Sequence, residues 1–301
     1  MTAGPTLPDV RNLLAAAPPH HTVDLPGLGP LKVRDSGDRD DGRPALLLLH
    51  GWTVSADLNW CTAYGSLSER CRVVAWDHRG HGARGLRSGR ATGIDDLADD
   101  AAAVAAALGI DRAVAVGYSM GGAVAQALWR RHPSLVDGIV LCATAAAFGV
   151  TAADRRDFRA IARGIGPARL LEAAGMDAAA WRVARWAGDR RAGRATGMTD
   201  PALDRWAWDE IRAGVLSRVL AAGEDLGRFD ATGWLGGVDI PHAVVACTRD
   251  DIVDPSRQEA LAAAMPATAV HVIDTDHAAC LARPDLFVPA LLDAVGDVTR
   301  S

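Results

Sequence analysis

Short apolar runs and helical patterns alternate along most of the chain. The runs are apolar on both faces, which is typical of parallel strands buried between two layers of helices. Between two runs, apolar residues recur at helical spacing from Leu97 to Leu108 and stop at Gly109, which predicts an amphipathic helix. The predicted strands are residues 45–49, 72–76, 113–116, 139–142, 243–246 and 270–273. Further helices are predicted over 123–131, 256–265 and 286–295, and a short hairpin over 22–34.

The alternation stops at Phe148 and resumes only after Leu235. No strand is predicted in this stretch, which carries five of the nine tryptophans (Trp181, Trp186, Trp206, Trp208 and Trp234). We interpret it as a helical insertion whose tryptophans mainly pack its own interior. The sequence therefore predicts one α/β domain in two parts, residues 1–147 and 236–301, with a helical cap inserted at 148–235.

Composition argues against several classes of partner. The 37 acidic residues outnumber 32 scattered basic ones, giving a formal net charge of -5, so nucleic acid is not an expected partner. No segment approaches the roughly 18 consecutive apolar residues of a membrane span, so no membrane partner is expected either. The five cysteines lack metal-ligand spacing. An odd number of sparse cysteines favours reduced thiols, and we expect a cytoplasmic protein without a bound metal. The sequence leaves open whether the protein forms a homo-oligomer.

The clearest chemical motif follows the predicted strand that ends at Val116. Residues 117–121 have the form Gly-x-Ser-x-Gly and lead straight into a predicted helix. A turn this tight strains the backbone of its central residue, and the flanking glycines let neighbouring chain approach without a Cβ clash. We therefore predict that Ser119 is a nucleophile exposed at a helix N-terminus.

A serine hydroxyl needs a base to remove its proton, and in this arrangement the base is a histidine. Of the nine histidines, His277 follows the last predicted strand and precedes the closing helix. It is therefore expected at the carboxyl edge of the sheet, where open α/β sheets bind ligands. Structural or surface roles are favoured for the histidines in the N-terminal tail, at a helix end or in strands, which are His20, His21, His132, His242 and His271.

The acid that orients the base is expected after the preceding strand, residues 243–246. Asp250, Asp251 and Asp254 all follow that strand. Asp250 comes first, and the chain between it and His277 is long enough for one helix and one strand. We prefer Asp250 to Asp251, which we expect to face solvent.

Acyl transfer also needs N–H groups directed at the developing oxyanion, and one comes from the residue after the nucleophile. That residue is Met120. The second donor is expected from the loop after strand 45–49, where Gly51 lets the chain fold toward Ser119, and we assign it to the amide of Trp52. His50 ends the buried strand and is interpreted as a structural residue that braces this loop.

Together these motifs resemble the alpha/beta hydrolase fold family over residues 22–295. The resemblance implies a mostly parallel central sheet with helices on both faces and a helical cap inserted after the sixth strand. It also implies a Ser119–Asp250–His277 triad, with the amides of Trp52 and Met120 as the oxyanion hole. Residues 83–85 depart from relatives, because Arg84 stands where a serine is frequent. The motifs that carry the resemblance are residues 50–52, 77–82 and 117–122, with Asp250 and His277.

The expected activity is hydrolysis of a small-molecule carboxylic ester through an acyl-enzyme, without a cofactor. The alanines and tryptophans of the insertion predict an apolar roof, suited to a small or medium acyl group or an aromatic group. Arg190, Arg191 and Arg194 could instead meet an anionic substrate, although a solvated charge run is favoured. The resemblance leaves perhydrolase, haloperoxidase-like and C–C bond hydrolase activities open on the same triad, because the fold alone does not fix the function. A non-catalytic small-ligand receptor is disfavoured, because it needs neither a base nor an acid.

Overall fold

The strands coincide with the short apolar runs of the sequence. The computed structural model describes residues 10–37, 42–86, 93–192, 201–266 and 268–300. The six predicted strands and the predicted hairpin are confirmed, with ends that differ by up to three residues. The strands are β1 His20–Leu25, β2 Gly29–Asp35, β3 Ala45–Leu49, β4 Arg72–Trp76, β5 Ala113–Tyr118, β6 Val136–Cys142, β7 His242–Cys247 and β8 Ala269–Ile273.

All eight strands join one sheet, in the order β1-β2-β4-β3-β5-β6-β7-β8. β2 pairs antiparallel with β1 and with β4, and the other neighbours pair in parallel. Because parallel strands end at the same edge, the loops that follow them meet there. This edge receives Ser119 after β5, Asp250 after β7 and His277 after β8.

Helices cover both faces of the sheet, as expected. Along β3, Leu47 and Leu49 join the apolar cluster formed with the first long helix and the helix after β5, whereas Leu46 and Leu48 join the cluster of the opposite face. Both faces are buried, so β3 is apolar throughout. The helices are α1 Val10–Leu13, α2 Ala56–Trp60, α3 Tyr64–Ser68, α4 Ile94–Ala107, α5 Met120–Arg131, α6 Ala152–Ala173, α7 Asp177–Ala192, α8 Pro201–Arg212, α9 Leu216–Leu226, α10 Pro255–Ala264, α11 Ala279–Ala282 and α12 Pro284–Thr299.

Helices α6 to α9 lie between β6 and β7 and form the stretch that we call the helical segment. Trp181 packs edge-on against Trp208, with ring centroids 6.1 Å apart, and belongs to a small apolar cluster with Leu216 and Val219. Trp186, in contrast, is 58% exposed. Trp206 packs against the apolar cluster on one face of the sheet. The segment thus has a small interior of its own, and its tryptophans are divided among that interior, the main core and the surface.

Three further properties concern the described residues as a whole. No helix among them combines the length and apolar character needed to cross a bilayer. They contain no group of three or more His, Cys, Asp or Glu side chains arranged to hold a metal ion. All five cysteines lie within the described part of the chain and are buried free thiols.

Candidate active site

Ser119 occupies a strained turn between β5 and α5. Its φ of 53° and ψ of -118° are unusual for a residue with a side chain, so the surrounding structure must hold the conformation. The Ser119 N–H donates to the carbonyl of Cys142 at 2.9 Å. The Ser119 carbonyl accepts from the Gly122 N–H at 2.9 Å and from the Thr144 hydroxyl at 2.7 Å. These contacts fix the peptide groups on both sides of the serine and leave its side chain at the carboxyl edge of the sheet.

The two glycines of the motif are required by close backbone contacts. A Cβ on Gly117 would lie 2.2 Å from the Gly121 carbonyl oxygen. A Cβ on Gly121 would lie 2.0 Å from the Leu49 carbonyl oxygen. Neither position has room for a side chain, because backbone atoms rather than flexible side chains fill the space. The packing therefore explains why the residues flanking the serine are glycine.

Hydrogen bonds connect Ser119, His277 and Asp250 in one chain. The His277 Nε2 atom lies 3.0 Å from the Ser119 Oγ atom, and Nδ1 lies 2.8 Å from the Asp250 Oδ2 atom. An ionised carboxylate only accepts, so Nδ1 carries the proton and Nε2 is left to accept the serine proton. Ser119 is 8% exposed and Asp250 is 5% exposed, whereas His277 is partly buried. The structure thus brings together the three residues that the sequence singled out.

The surroundings of Asp250 distinguish it from Asp251. Oδ1 of Asp250 accepts from the backbone N–H groups of Ile252 at 2.9 Å and Val253 at 2.8 Å, and Oδ2 faces His277. Asp251 is exposed. Of the two adjacent carboxylates, only Asp250 is therefore in a position to orient the imidazole.

Other histidines are engaged elsewhere. His132 lies 2.8 Å from Asp99, and His271 lies 2.9 Å from Asp297. His242 is buried at the start of β7, and its Nδ1 lies 2.7 Å from the Ile240 carbonyl. These contacts fit the structural roles favoured for them from the sequence.

Tyr118 holds the loop that carries His277. Its hydroxyl donates to the His277 carbonyl at 2.7 Å, and the two rings meet edge to face with centroids 5.7 Å apart. Sequence reasoning did not assign this residue a role, because the motif leaves its second position unspecified. The signal available was a buried hydroxyl next to the nucleophile, since such a hydroxyl needs a partner.

The loop after β3 lies beside Ser119. β3 and β5 pair in parallel, with Leu49 opposite Gly117. Two residues beyond this pair on both strands, Gly51 lies beside Ser119, and a Cβ added to Gly51 would be 3.4 Å from the Ser119 Cβ. The Gly51 N–H donates to the Asn59 Oδ1 atom at 2.8 Å. Both sides of Gly51 are therefore fixed, by the Ser119 turn and by Asn59.

His50 determines how the next peptide group points. Its Nε2 accepts from the His78 N–H at 2.8 Å, so Nδ1 carries the proton and donates to the Gly51 carbonyl, also at 2.8 Å. In a trans peptide the carbonyl and the following N–H point in opposite directions, so the Trp52 N–H is turned away from His50. Within the described chain, neither the Trp52 N–H nor the Met120 N–H has an acceptor. Both ring nitrogens of His50 are occupied, which excludes it as the base for Ser119.

Burial keeps a group of three histidines neutral. His50 and His78 lie with ring centroids 4.2 Å apart, and His81 lies 5.4 Å from His50. Desolvation lowers the pKa of His50 to about 4 and that of His81 to about 3, the latter assisted by repulsion from His50. Burial likewise lowers the pKa of His78 well below its usual value. The tautomer of His50 that orients the Trp52 peptide is therefore the stable form at neutral pH.

The helical segment contacts the loops next to the site. The Trp52 indole N–H donates to the Val219 carbonyl at 2.6 Å, and the Val215 N–H donates to the Gly80 carbonyl at 2.8 Å. α9 therefore lies against the loops that follow β3 and β4. Arg194 lies outside the described residues, as do the side chains of Arg190 and Arg191, so the alternative of an anionic substrate at these arginines stays a prediction.

Arg84, the departure from the family pattern, bridges the sheet and the helical segment. Its guanidinium lies 3.0 Å from Asp57, 3.4 Å from Asp77 and 3.3 Å from Glu210 of α8. Burial raises the pKa of Asp77, and the charge of Arg84 opposes that effect. The arginine thus compensates buried carboxylates on one side and holds α8 on the other.

Comparison with known proteins decides the family. A family model described as the alpha/beta hydrolase fold matches residues 44–284, which include Ser119, Asp250 and His277. The chain belongs to the alpha/beta hydrolase fold family. The resemblance and the fold class expected from the sequence are confirmed.

Relatives of this alpha/beta hydrolase carry several activity names. It is 29% identical over 270 residues to RutD of Agrobacterium fabrum, a protein named for carbamate hydrolysis, covering 84% of this chain and 94% of that protein. It is 40% identical over 102 residues to the bifunctional esterase/perhydrolase DCH of Acinetobacter calcoaceticus, covering 34% of this chain and 36% of the other. The enol-lactonase structure from Burkholderia xenovorans has a TM-score of 0.71 and 24% identity, covering 92% of this chain and 100% of that one. This last likeness supports the fold alone.

Proposed function

We propose that this alpha/beta hydrolase is a serine esterase that cleaves a small-molecule carboxylic ester through an acyl-enzyme intermediate. The observation that carries the proposal is the continuous hydrogen-bond chain from Asp250 through His277 to Ser119. A hydroxyl within 3.0 Å of an imidazole that is itself held by a carboxylate is the arrangement that activates a serine. No step of the proposed reaction uses a cofactor.

In the first half of the reaction, Ser119 Oγ attacks the ester carbonyl carbon while His277 Nε2 takes the hydroxyl proton. Asp250 stabilises the imidazolium and keeps its orientation. The tetrahedral intermediate collapses, the bond to the alkoxide breaks, and His277 gives its proton to that oxygen. The alcohol leaves, and the acyl group stays on Ser119 as an ester.

Water completes the cycle through the same groups. The water oxygen attacks the acyl carbon while His277 takes a proton from the water. The second tetrahedral intermediate then collapses and releases the carboxylic acid. The proton on His277 returns to Ser119. In both halves the negative oxygen needs donors, and we assign them to the backbone N–H groups of Trp52 and Met120. Their support is the lack of an acceptor within the described chain and the closeness of Gly51 to Ser119.

We further propose that residues 148–235 act as a cap that shapes the substrate pocket. The support is the contact between α9 and the loop of Trp52, together with the apolar cluster that includes Trp181 and Val219. An apolar covering of this kind suits a small or medium acyl group or an aromatic group better than a charged one.

Carbamate cleavage is the second candidate, because the match to RutD extends over 94% of that protein. The chemistry is close to ester hydrolysis, since Ser119 would attack a carbonyl flanked by oxygen and nitrogen. A carbamate is less electrophilic than an ester, so turnover would depend more strongly on the two oxyanion donors. Perhydrolysis, suggested by the partial match to DCH, differs only in the acceptor of the acyl group, which is hydrogen peroxide instead of water.

The test is hydrolysis of p-nitrophenyl esters of increasing acyl length by the wild type and by Ser119→Ala. We expect a preference for short or medium acyl chains and a loss of at least about 1,000-fold in kcat in the variant. Ser134→Ala removes an exposed serine hydroxyl and is the matched control, which should keep wild-type activity. A p-nitrophenyl carbamate and an assay with added peroxide separate the two alternatives.

Two outcomes would contradict the proposal. Ester hydrolysis that persists in folded Ser119→Ala would exclude this serine as the nucleophile. A wild-type enzyme that turns over the carbamate much faster than every ester would favour the second candidate.

A further inference from the structure

Gln258 of α10 touches the same carboxylate as His277, and no sequence motif points to it. Its side chain is fully buried, with 0% exposure. Nε2 donates to Asp250 Oδ2 at 2.9 Å and to the Val253 carbonyl at 2.8 Å, while Oε1 accepts from the Cys247 N–H at 3.0 Å. The carboxamide is thus bonded on both its nitrogen and its oxygen, and its orientation is fixed.

Asp250 has all of its acceptor positions occupied. Its two oxygens offer about four, and they receive Ile252 N–H, Val253 N–H, Gln258 Nε2–H and His277 Nδ1–H. The side chain is 0% exposed, so solvent does not compete for these positions. Gln258 and His277 share the same oxygen, Oδ2, whereas the two backbone donors hold Oδ1.

We propose that Gln258 is a positioning residue that fixes the direction in which Asp250 Oδ2 faces His277. The inference rests on the function proposed above and deepens it. Without the Gln258 donor, the carboxylate is held firmly only at Oδ1 and can rotate about its Cβ–Cγ bond. That rotation weakens the hydrogen bond that orients the imidazole and stabilises its charged form.

A glutamine is required because the three neighbours have fixed roles. The Cys247 N–H needs an acceptor, whereas Asp250 and the Val253 carbonyl both need donors. Glutamate would keep the acceptor toward Cys247 but would direct an oxygen with at most one proton at two acceptors. Gln258→Glu therefore preserves the tie between β7 and α10 and loses at least one of the two donor contacts. Gln258→Met removes both donor contacts without adding a charge, so the pair of variants separates the two roles of the residue.

The experiment compares Gln258→Glu and Gln258→Met with the wild type. Glu259→Gln, which changes the exposed neighbour on the same helix, is the matched control. With a p-nitrophenyl ester, we expect kcat to fall by about 10- to 100-fold in both Gln258 variants while KM stays within about twofold. Glu259→Gln should match the wild type in both constants. A purely structural residue would instead leave kcat of folded Gln258→Met, which adds no charge, unchanged.

A second measurement does not depend on turnover. The proton between His277 Nδ1 and Asp250 gives a far-downfield proton NMR resonance, which is assigned by its loss in His277→Ala. We expect this resonance to shift or broaden in Gln258→Glu and to stay in place in Glu259→Gln. An unmoved resonance in folded Gln258→Glu would overturn the inference, and so would an unchanged kcat.

The two measurements also separate this inference from the proposed function. If the wild type hydrolyses no ester, the proposed function fails, and the resonance alone decides whether Gln258 positions Asp250. If the wild type is active and Ser119→Ala is not, an unchanged Gln258→Glu refutes only the positioning role. Should Gln258→Met not fold, Gln258→Glu decides, because it retains the contact to Cys247.

Discussion

The turn around Ser119 and the helical segment are built in opposite ways. In α5, which follows the turn, nine of twelve residues are buried. α6, which is described throughout, has Ala168 as its one buried residue among 22. Backbone contacts too close for any side chain fix the turn. The helical segment is instead largely exposed along α6 and joins the main apolar clusters through side chains of α8 and α9, among them Leu203, Ala207, Ala222 and Leu226.

This difference assigns rigidity and variability to different parts of the molecule. The segment is joined near the site by the contacts of Trp52 with Val219, Gly80 with Val215, and Arg84 with Glu210. Each of these can change without a change in the packing of Gly117 and Gly121. The turn can therefore stay constant while the helical segment varies, and the relatives do carry different activity names.

The largest effect is expected from adding one methyl group to the turn. Gly121→Ala would bring its Cβ to 2.0 Å from the Leu49 carbonyl oxygen, so the backbone of β3 or α5 must move. We expect a loss of more than about 4 kcal/mol in the free energy of unfolding, together with loss of activity. Urea denaturation followed by circular dichroism measures the change.

The matched substitution in the helical segment is Gly175→Ala, at the end of α6. Gly175 has a φ of +69°, but a Cβ there would meet nothing within 4 Å. The cost is therefore conformational alone, about 1 kcal/mol. Equal losses in the two variants would contradict the contrast between the regions.

Acid is expected to destabilise the core and spare the segment, because all nine histidines lie outside α6 to α9. The pKa of His50 falls from its usual 6.5 to about 4 on folding, so below pH 6.5 the unfolded chain binds a proton that the folded protein does not. The contribution of neutral His50 to the free energy of unfolding is fully present above pH 6.5. It is lost as the pH falls toward 4, and its size is roughly 3 kcal/mol. His81, with a pKa of about 3, extends the loss to lower pH.

Urea unfolding at a series of pH values from 7 to 4 tests this. The free energy of unfolding of the wild type should decrease as the pH is lowered, and His50→Gln should make this decrease smaller. His21→Gln removes an exposed histidine in β1 and should leave the slope as in the wild type. A wild-type stability that is constant from pH 6.5 to 4 would show that the buried histidines are not held neutral.

The same contrast explains what the sequence could predict. Strands such as β3 and β4 were predicted to the residue, because an apolar run buried on both faces has an unambiguous pattern. β6 begins at Val136 rather than at the predicted residue 139, because the polar Asp137 and the small Gly138 interrupt the run. The structure continues the strand through them, with Asp137 paired to Arg112 and Gly138 packed against Val298.

The closeness of Ser119 and His277 was predictable, because each follows a parallel strand whose end lies at the same edge of the sheet. The contacts of Gln258 with Asp250 and of Tyr118 with the His277 carbonyl were not, since only the folded chain brings these partners together. The attachment of the helical segment was also beyond sequence reasoning. Trp52 and Val219 are 167 residues apart, and nothing in either local pattern indicates the other.

A smaller effect is expected where Arg84 joins the two regions. Arg84→Ala leaves the buried carboxylates of Asp57 and Asp77 with less compensating charge, at a cost of about 3 kcal/mol in the free energy of unfolding. Glu210→Gln removes only the partner on the helical segment and should cost about 1 kcal/mol or less. Thermal or urea unfolding of both variants measures the difference. If the glutamate variant proved the more damaging, the arginine would serve the segment more than the core.

The smallest effect is expected from Trp52→Phe, which removes the indole N–H that donates to the Val219 carbonyl at 2.6 Å and leaves the backbone amide in place. Loss of one such hydrogen bond costs about 1 kcal/mol. Because the change loosens α9 without altering Ser119, we expect KM for p-nitrophenyl esters to change by about two- to fivefold, with kcat within about twofold of the wild type. Trp186→Phe, at a tryptophan that is 58% exposed on α7, is the control and should leave both constants unchanged. A drop in kcat with constant KM would mean that the Trp52 side chain holds in place the loop after β3, whose Trp52 amide is the proposed oxyanion donor, and that the helical segment contributes to that support.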